Sequence, residues 1–134
     1  MLFRDSFFMQ KLIDQSIEVL ELAEERGFYW PSLNLLFDNV KDEVREIQEA
    51  FDQNESKERL VEETGDLLFG AIEICRNLDV NPREALEIAF QKFKRRFEIM
   101  LETLESHQKN DLNDLSSAEK MALWRHAKEI HAKE

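Results

Sequence analysis

Apolar residues recur every three or four positions along nearly the whole chain, the period of an α-helix that buries one face. The first such run extends from about Ser6 to Arg26 and stops at Gly27. Its apolar residues fall on two sides, Phe8, Leu12, Val19 and Leu22 on one, Ile13, Ile17 and Leu20 on the other. So wide an apolar surface exceeds what one neighbouring helix covers, and it predicts burial against a second copy of the chain. A GFYWPS loop leads into a second run, about Leu33 to Gln53, carried by Leu33, Leu36, Phe37, Val40, Val44, Ile47 and Phe51. After a DQNES turn the third helix is expected over about Lys57 to Leu78. Asn81, Pro82 and Glu84 form a start signal, with an N-cap, a proline at the first helical position and an acid at the third.

The fourth helix continues to about Glu105 on Leu86, Ala89, Phe90, Phe93, Phe97, Met100, Leu101 and Leu104, the three phenylalanines being expected as plain core. SHQKNDLND reads as a linker, and SSAE caps a last short helix over about residues 118–132. No stretch alternates with the period of a strand. The pattern predicts an all-α fold: a four-helix bundle over residues 1–106, then a linker and helical extension over 107–134.

Within this pattern two segments echo each other. Val40 to Phe51 reads V-x-x-E-V-x-E-I-x-x-A-F, and Leu60 to Ala71 reads L-x-x-E-T-x-D-L-x-x-G-A, a shift of 20 residues. Glu43 thus matches Glu63, Glu46 matches Asp66, and Ala50 matches Gly70. At about 100° per residue both acids of each segment lie on one flank of its apolar stripe, a turn apart. Two antiparallel helices packed on those stripes would bring the four carboxylates to one edge of their seam. Gly65 and Gly70 sit in the same stretch, although a helical glycine costs roughly 1 kcal/mol against alanine. Removing bulk there allows either close helix approach or room for a ligand beside Glu63 and Asp66. The plainer alternative is a solvated acidic flank paired with Lys41, Arg45 or Arg59.

Four carboxylates held together repel one another and lose hydration, and a hard divalent cation relieves both effects. Oxygen-only ligands suit Mg²⁺, or Mn²⁺ in its place, and Mg²⁺ is commonly shared with substrate phosphates. A di-iron carboxylate site would need Glu-x-x-His pairs on the bundle helices. The three histidines, His107, His126 and His131, all follow the bundle, and none stands three residues after a glutamate. On the fourth helix Lys92 and Arg96 share one flank and are candidates to grip phosphate oxygens, or to bridge to a neighbouring helix. Arg95 points away from the stripe and is expected to be solvated. Trp30 either stacks on a nucleobase, as a substrate contact, or plugs the end of the bundle. Cys75 reads as a small core residue.

Composition narrows the partners. With 29 acidic against 18 basic residues the net charge is -11, which disfavours binding to a nucleic-acid backbone. An anionic ligand would therefore need a recruited cation. No apolar run has the length of a membrane span, and the N-terminal MLFRDSFFMQKL carries acid and amide too early for a signal peptide. The single cysteine excludes an internal disulfide and fits a reducing cytoplasm.

KDEVREIQEAF followed by LVEETGDLLFGAIEICRNL resembles the MazG nucleotide pyrophosphohydrolases, whose motif is E-x-x-E on one helix and E-E-x-G-D on the next. Here those positions are Glu43 and Glu46, then Glu62, Glu63, Gly65 and Asp66, and the resemblance covers about residues 10–105. It implies an all-α protein that assembles at least as a homodimer. It also implies cleavage of nucleoside triphosphates between the α and β phosphates, giving monophosphate and pyrophosphate, with a role such as clearing non-standard nucleotides. Mg²⁺ would be held by Glu43, Glu46, Glu63 and Asp66, one of which would orient or deprotonate the attacking water, while Lys92 and Arg96 contact phosphate. In one place the chain departs from the pattern N-x-K-F-x-x-R-F: the Asn position is Phe90. That departure bears on substrate identity, and it leaves open a helical dimer that binds nucleotide or a partner without turnover.

Overall fold

The computed structural model describes residues 2–109 and 111–134, with side chains from residue 8 onward. The fold is all-α: α1 (Leu2–Glu25), α2 (Leu33–Asp52), α3 (Lys57–Asn77), α4 (Pro82–Ser106) and α5 (Ser117–Ala132). No strand occurs among the described residues, and one 3₁₀ turn, Leu112–Asp114, interrupts the expected linker. No helix among them is long and apolar enough to cross a membrane.

Side chains that compete with the backbone set the helix starts. The Ser32 hydroxyl accepts from the Leu35 N–H, Ser56 from Arg59 and Ser116 from Glu119, while Asn81 Oδ1 accepts from the Arg83 N–H at 3.0 Å. The ends are equally regular. At the close of α1, Gly27 takes φ 89° and the Phe28 N–H reaches back to the Ala23 carbonyl at 2.8 Å. Asn54, Asp79 and Gln108 take the same left-handed position after α2, α3 and α4 without being glycine.

The chain divides into two compact units, one up to Ala85 and one from Leu86 to Glu134. In the first, α2 and α3 form the most extensive helix pair and α1 packs on α3. A Cβ on Gly70 would stand 3.0 Å from Val40 Cγ2, so this glycine marks where the two backbones come close. The two apolar sides of α1 differ in cover. Ile13, Ile17 and Leu20 are half-buried, whereas Phe8, Leu12, Val19 and Leu22 remain exposed.

In the second unit Ile99, Met100 and Ala127 form the buried cluster, with Leu112, Leu123, Trp124 and Ile130 packed on it. The buried positions of α4 are thus Ile99, Met100 and Leu104. Phe90, Phe93 and Phe97 are not plain core: Phe90 is 56% exposed and Phe93 59%. The α4 stripe is broader than α5, and α5 covers only part of it.

Candidate metal centre

Glu43 and Glu46 rise from the middle of α2, and Glu63 and Asp66 from the first half of α3. Passing from Val40 to Glu43 along α2 means passing from Gly70 to Asp66 and Glu63 along α3, so the helices run antiparallel and the echoed acids face each other. One carboxylate oxygen from each of Glu43, Glu63 and Asp66 lies within 4.8 Å of the others. Glu46 stands outside this tight group, yet it is near enough for its charge to bear on Glu43 and on Glu63.

The cluster has a floor and an opening. Glu63 is 3% exposed, Glu43 and Glu46 are half-buried, and Asp66 faces solvent. Arg59, one turn before Glu63, pairs with its Oε1 and also approaches Glu55 and Glu62 at 3.5 and 3.3 Å. The other oxygen of Glu63 and the Oε2 of Glu43 are buried with no hydrogen-bond partner. A buried carboxylate oxygen without a donor is costly. Burial, and after it Glu46, Asp66 and Glu63, push the Glu43 carboxyl above its ordinary range. Burial also raises Glu63, Arg59 opposes it, and the neighbouring acids add to the rise. Two orphaned oxygens, an all-oxygen donor set and like charges at close range fit a hard divalent cation.

The two glycines divide the explanations offered for them. Gly70 serves close approach to Val40, while a Cβ on Gly65 would meet nothing within 4 Å. Gly65 therefore relieves no clash; it lies on exposed surface next to Asp66.

The cationic candidates belong to the second unit. Lys92 is exposed. Arg96 donates from Nε to His131 Nδ1 at 3.3 Å, and its guanidinium lies 5.7 Å from the centre of the Trp124 ring. Arg95 is not simply solvated: it pairs with Glu134, Glu102 and Glu98, because Glu134, just beyond the end of α5, lies alongside it. Trp30, in the first unit, is half-buried and gives its indole N–H to Glu73 on α3 at 2.7 Å. Sequence spacing puts Trp124 and His131, seven residues apart, on one helix face, but it does not say that Arg96 meets that face.

An acid-lined seam in a small all-α protein, with buried carboxylate oxygens lacking donors, defines a class of candidate metal-binding helical proteins. Known proteins narrow that class. No family model matches the chain. It is 38% identical over 87 residues to the nucleoside triphosphate pyrophosphohydrolase/pyrophosphatase MazG of Thermotoga maritima, covering 65% of this chain and 32% of the relative. It is 39% identical over 72 residues to the nucleoside triphosphate pyrophosphohydrolase of Escherichia coli K12, covering 53% and 27%. A third relative, the uncharacterized protein YabN of Bacillus subtilis, is 37% identical over 67 residues, 50% of this chain and 14% of YabN. The chain is thus a homologue of MazG pyrophosphohydrolases over half to two thirds of its length, and it spans about a third or less of these relatives.

Proposed function

We propose that the chain is a Mg²⁺-dependent nucleoside triphosphate pyrophosphohydrolase that cleaves the α–β phosphoanhydride and releases a nucleoside monophosphate and pyrophosphate. What carries this reading is the Glu43–Glu63–Asp66 group, built around the buried Glu63 and holding two orphaned oxygens, on the residues that match the MazG acidic motif. Glu43, Glu46, Glu63 and Asp66 hold the metal, Mn²⁺ serving as well. Such an ion supplies charge neutralisation for the polyphosphate and a lowered pKa for water. The protein's own share is to align the acids across two helices, to fix Glu63 through Arg59, and to leave space at Gly65. One carboxylate of the cluster takes the proton of the attacking water as the anhydride bond breaks.

Lys92 and Arg96 contact phosphate, and Trp30, already engaged with Glu73, has a supporting place at most. The protein works as a homodimer or larger homo-oligomer in the cytoplasm. Support for assembly comes from the exposed apolar side of α1 and from Phe90 and Phe93 on α4. Phe90, at the position where the family pattern has an amide, favours a second reading, in which nucleotide is bound without turnover.

The test is a panel of standard and modified triphosphates with Mg²⁺, scored for pyrophosphate and orthophosphate separately. Pyrophosphate release is the expected outcome. Orthophosphate alone would indicate a different phosphohydrolase, and binding without product would favour the second reading.

A further inference from the structure

The C-terminal helix has no part in the reading above, yet its contacts converge on one residue of α4. Arg96 stacks over the Trp124 ring and donates from Nε to His131. Trp124 is itself held against Phe93, 5.6 Å between ring centres, and Phe93 stacks on Phe97. Ala127, between the two α5 residues in sequence, is fully buried against α4 and anchors the helix there. Arg95, next in the chain, draws in Glu134, Glu102 and Glu98. Among the described residues Arg96 has no carboxylate within ion-pair distance, in contrast with Arg45, Arg59, Arg76, Arg83 and Arg95.

An arginine engaged on one ring face and at Nε, but not at its two terminal nitrogens, is a fork fixed in place with its charge unspent. From this we infer that α5 is a positioning element: Trp124 and His131 hold Arg96 so that its terminal amino groups meet the phosphate oxygens of a nucleotide polyphosphate. The inference rests on the reading of Arg96 as a phosphate contact and adds how that contact is prepared. A free arginine loses rotamer freedom when it grips an anion. One that is already stacked and hydrogen-bonded loses less, and the difference appears as affinity.

The experiment uses the full chain and inorganic pyrophosphate with Mg²⁺, titrated calorimetrically, alongside KM and kcat for a triphosphate that is turned over. Trp124→Leu removes the aromatic face and His131→Ala removes the acceptor. Each is expected to raise the pyrophosphate Kd and the KM about two- to tenfold, the range of a cation–π contact converted to affinity, with little change in kcat. Trp124→Phe and His131→Asn retain a face or an acceptor and should recover most of the loss while keeping α5 folded. In an Arg96→Ala background the Trp124 and His131 changes should have no further effect on Kd. Equal losses with and without Arg96 would mean that α5 is merely structural, and tighter binding in the α5 variants would mean that it sequesters Arg96; either overturns the inference. If Arg96→Ala weakens binding while the α5 variants do not, only the positioning role fails. If Arg96→Ala itself changes nothing, the phosphate contact falls and the positioning role with it.

Discussion

Replacing Glu63 by glutamine removes one negative charge from the seam with almost no change of shape. Three contributions follow from where Glu63 sits. Its side chain is 3% exposed, so the variant no longer holds a charge in a poorly hydrated place. Its neighbours Glu46 and Asp66 lose a like charge, and these together with burial are what raise its carboxyl. Against this, Arg59 loses one partner but keeps Glu55 and Glu62. Without metal the variant should therefore be at least as stable as the natural chain.

With metal the order reverses. Mg²⁺ that binds only the folded chain stabilises it by about 2.7 kcal/mol at one hundred times its Kd. For a domain of this size that is a rise in Tm on the order of 10 °C. Glu63→Gln replaces one of the clustered carboxylates, one that carries an orphaned oxygen, by a neutral amide with a single, weaker donor oxygen. If Mg²⁺ then binds about a hundredfold more weakly, the same concentration yields only about 0.4 kcal/mol. Thermal melts with a Mg²⁺ series, read beside pyrophosphate release, give both numbers. The expected result is an undiminished metal-free Tm, a nearly flat Mg²⁺ response and loss of turnover. A variant clearly less stable without metal that still hydrolyses triphosphates would show Glu63 to be a salt-bridge partner of Arg59 and nothing more, and the four-acid site would be refuted.

The remaining expectations concern the glycines, pH and Phe90. Gly65→Ala should stabilise the metal-free chain by about 0.5–1 kcal/mol through helix propensity while lowering turnover, whereas Gly70→Ala should gain less or lose, since Val40 Cγ2 would have to give way; equal effects on both Tm and activity would remove the distinction between them. Because Glu43 and Glu63 are raised above the ordinary 4.5, the folded metal-free chain retains protons just above that pH that the unfolded chain has released, so its stability should fall as pH rises through this window. Mg²⁺ affinity should improve over the same window as those protons are displaced, and an unchanged slope in Glu63→Gln would argue against the assignment. Phe90 is more than half exposed, so Phe90→Asn should cost little stability and should change KM or the ranking of triphosphates; a large drop in Tm with unaltered kinetics would make it a packing residue.

Much of this was readable because helices write themselves into sequence twice, in their period and in their ends. Asn81–Pro82 and Ser116 mark starts that the hydrogen bonds reproduce. The 20-residue echo located the seam, since matched stripes on consecutive helices joined by a short turn must face each other. What a helical wheel does not contain is the identity of the neighbour. It put Arg95 in solvent because the turn angle pointed it away from the α4 stripe, but the end of α5 arrives there and brings Glu134. It took Phe93 and Phe97 for core because they are apolar and in phase, whereas the covering helix sits over Ile99 and Met100. Angles within one helix are local, and cover is a property of the pair.

The acids illustrate a further point. Read from the sequence, Glu63 was either a metal ligand or the partner of Arg59, as if one excluded the other. A carboxylate has two oxygens, and here they are used differently: Oε1 meets Arg59 and Oε2 is left buried without a partner, as is the Oε2 of Glu43. Arg59, four residues earlier on the same helix, thereby fixes the rotamer of a buried acid from the solvent side. Its charge offsets part of the repulsion that would otherwise push α2 and α3 apart in the absence of metal. If the acids hold a metal as proposed, the salt bridge would let that site exist in a folded chain before a metal arrives, and the open surface at Gly65 is where solvent and substrate would reach it.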